Sequence, residues 1–453
     1  MSRRRANTFD RRSLLGWSGA SALGLLGALG APAPLFARAR AGVPGGPGGR
    51  KLLTIFLRGG NDALNTIVPL HDADYLAPTT RPTLALAPNQ CIDLGNGAAA
   101  FHPALAKLKT VYDLGSVAAI QRVGYPDPTL SHFSGQQFVE TAKPGDYEFR
   151  EGWTARWAAH SAPSGSALSA VSVSPQLMMQ FSGAKVLPHV PSLAEYATGG
   201  DPASSKLFGD ATSGLFARYA APTTGANFDP LVHATGDALG ASLAELAAMP
   251  AYTPLDGSFP ETLPELVSHG LPAADWALDF FLELRDAVHV LKHSSATVVG
   301  VEIPGFDTHA AQGTLAGPHA DRLAVLAHAL RALWNETELD LWPDLVCVVQ
   351  SEFGRTSAEN GSAGTDHGHA GAALVVGGPV QGGVHHCDPA SWPSGATLFE
   401  TDGRYVAHRT DFRAVLAEVL ERHLLLTPPE LDLVLPGWSS LAGPTFTPLG
   451  LIS

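Results

Sequence analysis

The stretch SEFGRTSAENGSAGTDHGH, residues 351–369, gathers Glu352, Arg355, Asp366, His367 and His369 among glycines. Asp307 and His309 lie together in GFDTH, and Asp62 closes LRGGND. Carboxylate oxygens and imidazole nitrogens are ligands of hard and borderline cations. The set Asp62, Asp307, His309, Glu352, Asp366, His367 and His369 therefore reads as a source of ligands for a divalent metal such as Zn²⁺, Mn²⁺, Mg²⁺ or Ca²⁺. Ser131, in YPDPTLSHFSGQ, reads as a nucleophile at the start of a helix, where backbone amides favour an anion and a nearby metal lowers the hydroxyl pKa. The same serine also reads as a plain N-cap. Arg355 suits a fork onto phosphate or sulfate oxygens, or a structural pair with a carboxylate such as Glu359. His132 reads as a ring that orients a ligand or, more simply, as a core histidine.

The elements that must position these groups follow from apolar patterning. KLLTIFL, SVAAIQRVG, ATVVGVEIPG, DLVCVVQ and GAALVVGGP are short apolar runs bounded by glycine or polar clusters, the pattern of buried parallel strands. Helices are predicted from Ser131, over 102–115, 273–294, 319–337 and 411–424. This alternation predicts an α/β fold, a three-layer sandwich with a mostly parallel central sheet. Ligands of such sheets bind beyond the carboxyl ends of the strands. GGND, GYPDPTLSH, GFDTH and SEFGRT all stand at such ends. Residues 151–260 are less regular and read as a cap or insertion on a single domain spanning 50–453.

Residues 1–41 read as a targeting segment. A basic stretch with Arg11-Arg12 precedes an uncharged SLLGWSGASALGLLGALGAPAPLF, and ARA at 39–41 offers a small-x-small cleavage site. The arginine pair predicts twin-arginine export to the periplasm or beyond, with the twin-arginine translocase as a partner; the alternative is a retained anchor. GVPGGPGG at 42–49 reads as a linker. Removing the leader leaves 22 basic against 41 acidic residues, a balance of −19. Such a surface repels nucleic acid. No GxGxxG, haem motif or cysteine cluster supports an oxidoreductase. Cys91, Cys347 and Cys387 are too scattered for a disulfide framework; Cys347 reads as core, and a 91–387 bridge is an open alternative.

The leader, FLRGGNDALNTIVP, YPDPTLSHFSGQ, GWTARW, GFDTHAAQG, SEFGRT with GTDHGHAG, and GGPVQGG, in that order over residues 50–424, resemble the bacterial domain-of-unknown-function family 1501. That family in turn resembles the alkaline phosphatase and sulfatase superfamily. The second resemblance implies an alkaline-phosphatase-like fold and a secreted, metal-dependent hydrolase of phosphate or sulfate esters on small molecules or polysaccharides. It implies Asp62 as a strand-end metal ligand, Ser131 as nucleophile, Asp307 and His309 on one metal, and His367 or His369 as a final ligand. Where the superfamily has an Asp-His pair this chain has Glu352-Phe353, and Phe353 cannot bind metal, so Asp366 or a histidine would have to substitute. The Cys/Ser-x-Pro-x-Arg pattern of sulfatases is missing. The competing expectation is a non-catalytic binding or assembly protein that keeps the fold.

Overall fold

The computed structural model describes residues 49–162, 168–185, 187–194, 241–255, 259–390, 392 and 404–453. The leader and nearly all of the linker lie outside them, as does the middle of the expected cap. In chain order the elements are β1 (Lys51–Leu57), β2 (Ile67–Pro69), β3 (Ile92–Asp93), β4 (Ala99–Phe101), α1 (Ala106–Tyr112), β5 (Val117–Gly124), α2 (His132–Thr141), α3 (Trp153–His160) and β6 (Ala170–Ser172). There follow α4 (Leu263–Ser268), α5 (Asp275–His293), β7 (Val298–Ile303), α6 (Pro318–Thr337), β8 (Leu345–Ser351), β9 (Gly371–Gly377), β10 (Gly383–His385), β11 (Thr410–Asp411), α7 (Phe412–Glu418) and α8 (Pro428–Val434). A π-helical turn, Val419–His423, prolongs α7 and completes the closing helix expected from the sequence.

The central sheet runs β10-β5-β9-β8-β1-β7-β6, with β11 beside β5. β6, β7, β1 and β8 are parallel neighbours, while β9 pairs antiparallel with both β8 and β5. The fold is therefore α/β with a mixed, mostly parallel sheet. A second small sheet, β2-β4-β3, is antiparallel and has no counterpart in the sequence reading.

Alternation along the strands explains the layers. All seven residues of β1 are buried. Leu53, Ile55 and Leu57 face a core shared with α1, α4, α5 and α6. Leu52 and Phe56 face the opposite core, shared with α2, α3, α7 and α8. Strand side chains point alternately to the two faces. A strand apolar at every position must therefore be covered on both sides, and here it is. The start of the expected cap belongs to these layers. Trp153 and Trp157 of α3 lie in the second core, and β6 pairs with β7 at the sheet edge. Cys347 is in the core as expected, and all three cysteines are free thiols, so Cys91 and Cys387 form no bridge.

The parallel strands β1, β5, β7 and β8 end at one edge of the sheet. Because β9 runs the other way, its beginning lies at that same edge. Antiparallel β9 is thus what carries residues 366–369, which precede a strand, to the ends of strands that point towards them.

Candidate metal centre

Asp307 and His309 follow β7, Glu352 and Arg355 follow β8, and His367 stands four residues before β9. His132 opens α2 after β5. These loops meet around the Asp307 carboxylate. Its Oδ1 lies 3.1 Å from His309 Nε2, 3.3 Å from His132 Nε2 and 3.3 Å from His367 Nε2. His309 Nε2 and His367 Nε2 are 2.9 Å apart. Ligands held tetrahedrally at 2.0–2.1 Å from a zinc-sized ion stand about 3.3 Å from one another. The ligand atoms of His132, Asp307 and His367 form a group that could hold a metal ion, all within 4.8 Å of one another.

Each imidazole is fixed through its other nitrogen. His132 Nδ1 is 2.8 Å from Glu352 Oε1, His309 Nδ1 is 3.2 Å from Asp366 Oδ1, and His367 Nδ1 contacts the Leu130 carbonyl oxygen. Two carboxylates and a carbonyl can only accept, so we assign the ring proton to Nδ1 in all three. That leaves an Nε2 lone pair on each ring within 3.3 Å of Asp307 Oδ1, with His132 and His367 in the group that could share an ion and His309 beside it. His132 Nε2 is buried with no hydrogen-bond partner. Lone pairs aimed at each other and at a carboxylate oxygen repel, unless a cation lies among them. Outer partners on metal-ligating histidines set the tautomer in this manner.

Packing holds the rings in place. Phe353 lies tilted against both His132 and His367, with ring centroids 5.0 and 5.1 Å away. The residue that replaces an expected ligand is thus a wall for two others. Gly59 and Gly60 have positive φ, and a Cβ on them would stand 2.4 Å from the Asp307 nitrogen and 2.7 Å from the Phe353 ring. Only glycine lets the chain after β1 pass this close.

The electrostatics fit a cation site. Burial acts to raise the Asp307 pKa, but the Arg355 guanidinium, with help from His132 and His309, brings it down to about 2. Glu352 is 1% exposed, which acts to raise its pKa; hydrogen bonds from His132, Gln136 and Ser351 outweigh this and hold it low. Its hydrogen bond to Glu352 raises the pKa of His132, against burial. The Asp366 carboxyl is lowered by the Asn360 amide, His309 and Arg404. On one side the cluster is open, since the side chains of Asp307 and His309 are each 44% exposed.

The remaining expected residues take other places. Asp62 is not in this cluster: it is buried, Arg81 holds both its oxygens at 2.7 and 3.1 Å, and Gln312 donates to it at 2.7 Å. Glu352 and Asp366 stand behind histidines. His369 stacks on Tyr405, with ring centroids 4.1 Å apart, and its carbonyl accepts from Gly354. Arg355 is buried and donates to the carbonyls of Gly59, Gly60, Phe306 and Thr365 and to Asp307 at 2.6 Å, so it binds the strand ends together. Glu359 accepts from Thr83 and Leu84. Ser131 is the N-cap of α2, but its side chain caps nothing. It is exposed and stands between the Leu130 carbonyl and His132. His132 is the group the sequence reading undervalued; its signal was its place just beyond β5, at the same sheet edge as the others.

No curated protein matches the chain. Asp307, His309, Glu352, Arg355, Asp366, His367 and His369 all fall within residues 288–422, the segment that matches the family described as Protein of unknown function (DUF1501).

Proposed function

We propose that the protein is a divalent-metal-dependent hydrolase of phosphate or sulfate esters, built on an alkaline-phosphatase-like fold and exported by the twin-arginine route. The observation that carries the metal is the meeting of the His132 and His367 rings with Asp307, each ring fixed from behind. His132, His367 and Asp307 hold the ion in this reading, with His309 beside them, and the histidine-rich set favours Zn²⁺ over Mg²⁺ or Ca²⁺. The bound cation supplies Lewis acidity towards an ester oxygen. Three protein ligands leave a fourth position for water or substrate, as in a catalytic zinc site, and the 44% exposure of Asp307 gives access to it. Ser131, exposed and uncommitted beside His132, is the nucleophile.

One observation favours the second reading, a non-catalytic binding protein. Asp62, which the superfamily resemblance implies as a metal ligand, and Arg355, read as a fork for ester oxygens, are both consumed by internal hydrogen bonds. The two readings separate by measurement. Metal content of the purified protein is expected near one equivalent and is lost in His367→Ala. A panel of phosphate mono- and diesters and sulfate esters, with Zn²⁺ or Mn²⁺ added, is then hydrolysed by the wild type alone. A wild type that binds metal but turns over no ester supports the binding protein. A wild type that binds no metal ends both forms of the metal-centre reading.

A further inference from the structure

Far from this cluster, α1 crosses α6 and a cleft of about 310 Å³ opens beside the crossing. It is lined by Lys107 and Thr110 from α1, His269 just after α4, and His328, Arg331 and Asn335 from α6. Residues 328, 331 and 335 are three and four apart, hence on one helical face. His328 is ten residues along α6 from Pro318, roughly 15 Å at the helical rise. We propose that this cleft is an anion site for a small tetrahedral oxyanion, phosphate or sulfate, free or as the terminal group of a larger molecule. The inference is independent of the metal centre.

Four of the lining residues are basic and none is acidic. The chain as a whole has a net charge of −13, so a wall with four basic side chains runs against its overall balance. Some partly buried cations of this protein sit on carboxylates, as Arg58 does on Glu140 and Glu302 and Arg81 on Asp62, whereas others, such as Lys51 and Arg156, are held by backbone carbonyls alone. Lys107 and Arg331 have no carboxylate partner among the described residues. Lys107 Nζ donates to the His269 carbonyl at 3.1 Å and stands 2.5 Å from His328 Nδ1. Arg331 Nη1 donates to Thr110 Oγ1 at 3.1 Å, and the guanidinium lies over the Trp334 ring. The carboxylate that acts on His269, Glu265, is outside the lining and accepts from the Glu261 backbone. Burial draws the Lys107 pKa down, the mark of a cation lacking its counter-charge. Lys107 and Arg331 line the same cleft, and an oxyanion there takes charge-assisted hydrogen bonds from both. The cleft is at the lower end of small-molecule sites, roughly 300–1,000 Å³, which suits a small polar ligand.

The test is isothermal titration of the chelator-treated full chain with potassium phosphate and, separately, potassium sulfate at constant ionic strength, with chloride as the control. Wild type and His367→Ala are expected to show one saturable site of equal affinity, since the cleft does not use the metal cluster. Lys107→Met with Arg331→Met is expected to bind at least tenfold more weakly. Asn335→Asp, which sets a carboxylate into the lining with little change of shape, is expected to do the same and serves where the double variant fails to fold. Absence of saturable binding, unchanged binding in the variants, or loss in His367→Ala overturns the proposal. A phosphorylated sugar competing more tightly than free phosphate would identify the larger source; equal affinity would identify the free ion.

Discussion

Two aspartates stand just beyond neighbouring parallel strands, Asp62 after β1 and Asp307 after β7, and they have opposite fates. Asp62 is 1% exposed and sealed by Arg81 and Gln312. Asp307 is half open and ringed by three imidazoles, with Arg355 behind it. Position at a strand end is therefore not enough to make a ligand. What decides is the partner: a guanidinium that saturates both oxygens makes a strut, whereas Arg355 bonds a single oxygen of Asp307, Oδ1, which also meets the imidazoles. Arg81 also donates to the carbonyls of Thr356 and Ser357, so the Asp62 pair ties the loop after β1 to the loop after β8. The strut holds the loops from which the open site is built.

The largest effect on stability should come from breaking the strut. Asp62→Ala leaves the Arg81 charge buried and unpaired, which costs about 3–5 kcal/mol. Chemical denaturation should show this as a lower midpoint, while metal content per folded molecule stays unchanged. Loss of metal without loss of stability would make Asp62 a ligand after all and collapse the distinction.

Next in size is the support behind the open site. Glu352→Gln keeps shape but replaces the acceptor that fixes His132 with a neutral amide. Removing an outer partner of a metal-bound histidine costs roughly 10–100-fold in metal affinity. A competition titration with a chromogenic chelator measures it. Since Glu352 Oε1 also accepts from the Gly59 nitrogen at 2.9 Å, a small loss of stability accompanies the change. Unaltered affinity would mean that His132 is held by Phe353 packing alone.

This contrast also marks what could be read from sequence. The buried runs were legible because a strand covered on both faces is apolar at every position; the runs at 51–57, 345–351 and 371–377 became β1, β8 and β9. The helix from Ser131 and the long helices near 275–293 and 318–337 followed from capping and periodicity. The direction of β9 was not legible, because an apolar run does not encode its sense, and β2-β4-β3 uses segments of two or three residues. Asp307, His309 and His367, which the structure brings together, were picked out by the strand-end rule and by clustering. Asp62 satisfied the same rule, but its fate depends on Arg81, which reaches it from an irregular loop 19 residues on. His132 was obscured by the serine beside it: a histidine in the first turn of a helix is unremarkable until β5 is known to end at the same edge as β7.

Acid should reveal the strut as a smaller, graded effect. The Asp62 pKa lies below its ordinary value of 3.8: burial acts to raise it, and Arg81 outweighs burial. A carboxyl depressed in the folded state adds stability that is fully present above its unfolded pKa and is lost as pH falls from there through its folded pKa. The slope contributed by one group reaches at most about 1.4 kcal/mol per pH unit. Denaturation midpoints taken below pH 4 should therefore fall more steeply for the wild type than for Asp62→Asn. Parallel lines would mean that Asp62 is not charged in the folded protein.

The smallest stability effect belongs to Ser131, and its value is that it separates fold from chemistry. An N-cap serine that bonds the helix amides contributes about 1 kcal/mol. Here the side chain makes no capping bond, so Ser131→Ala should change stability by less than about 0.5 kcal/mol, the range of ordinary surface substitutions. Metal content should also be unchanged, because the adjacent Leu130 contributes its carbonyl and His132 its ring, and neither depends on the serine hydroxyl. Against that level background, turnover is a clean readout. If the hydroxyl attacks the ester, its removal eliminates the covalent route and lowers the rate by orders of magnitude. If Ser131→Ala retains full activity, with stability and metal content as predicted, then water is the nucleophile, and the serine is only the residue that lets the chain turn from the Leu130 carbonyl into the first turn of α2.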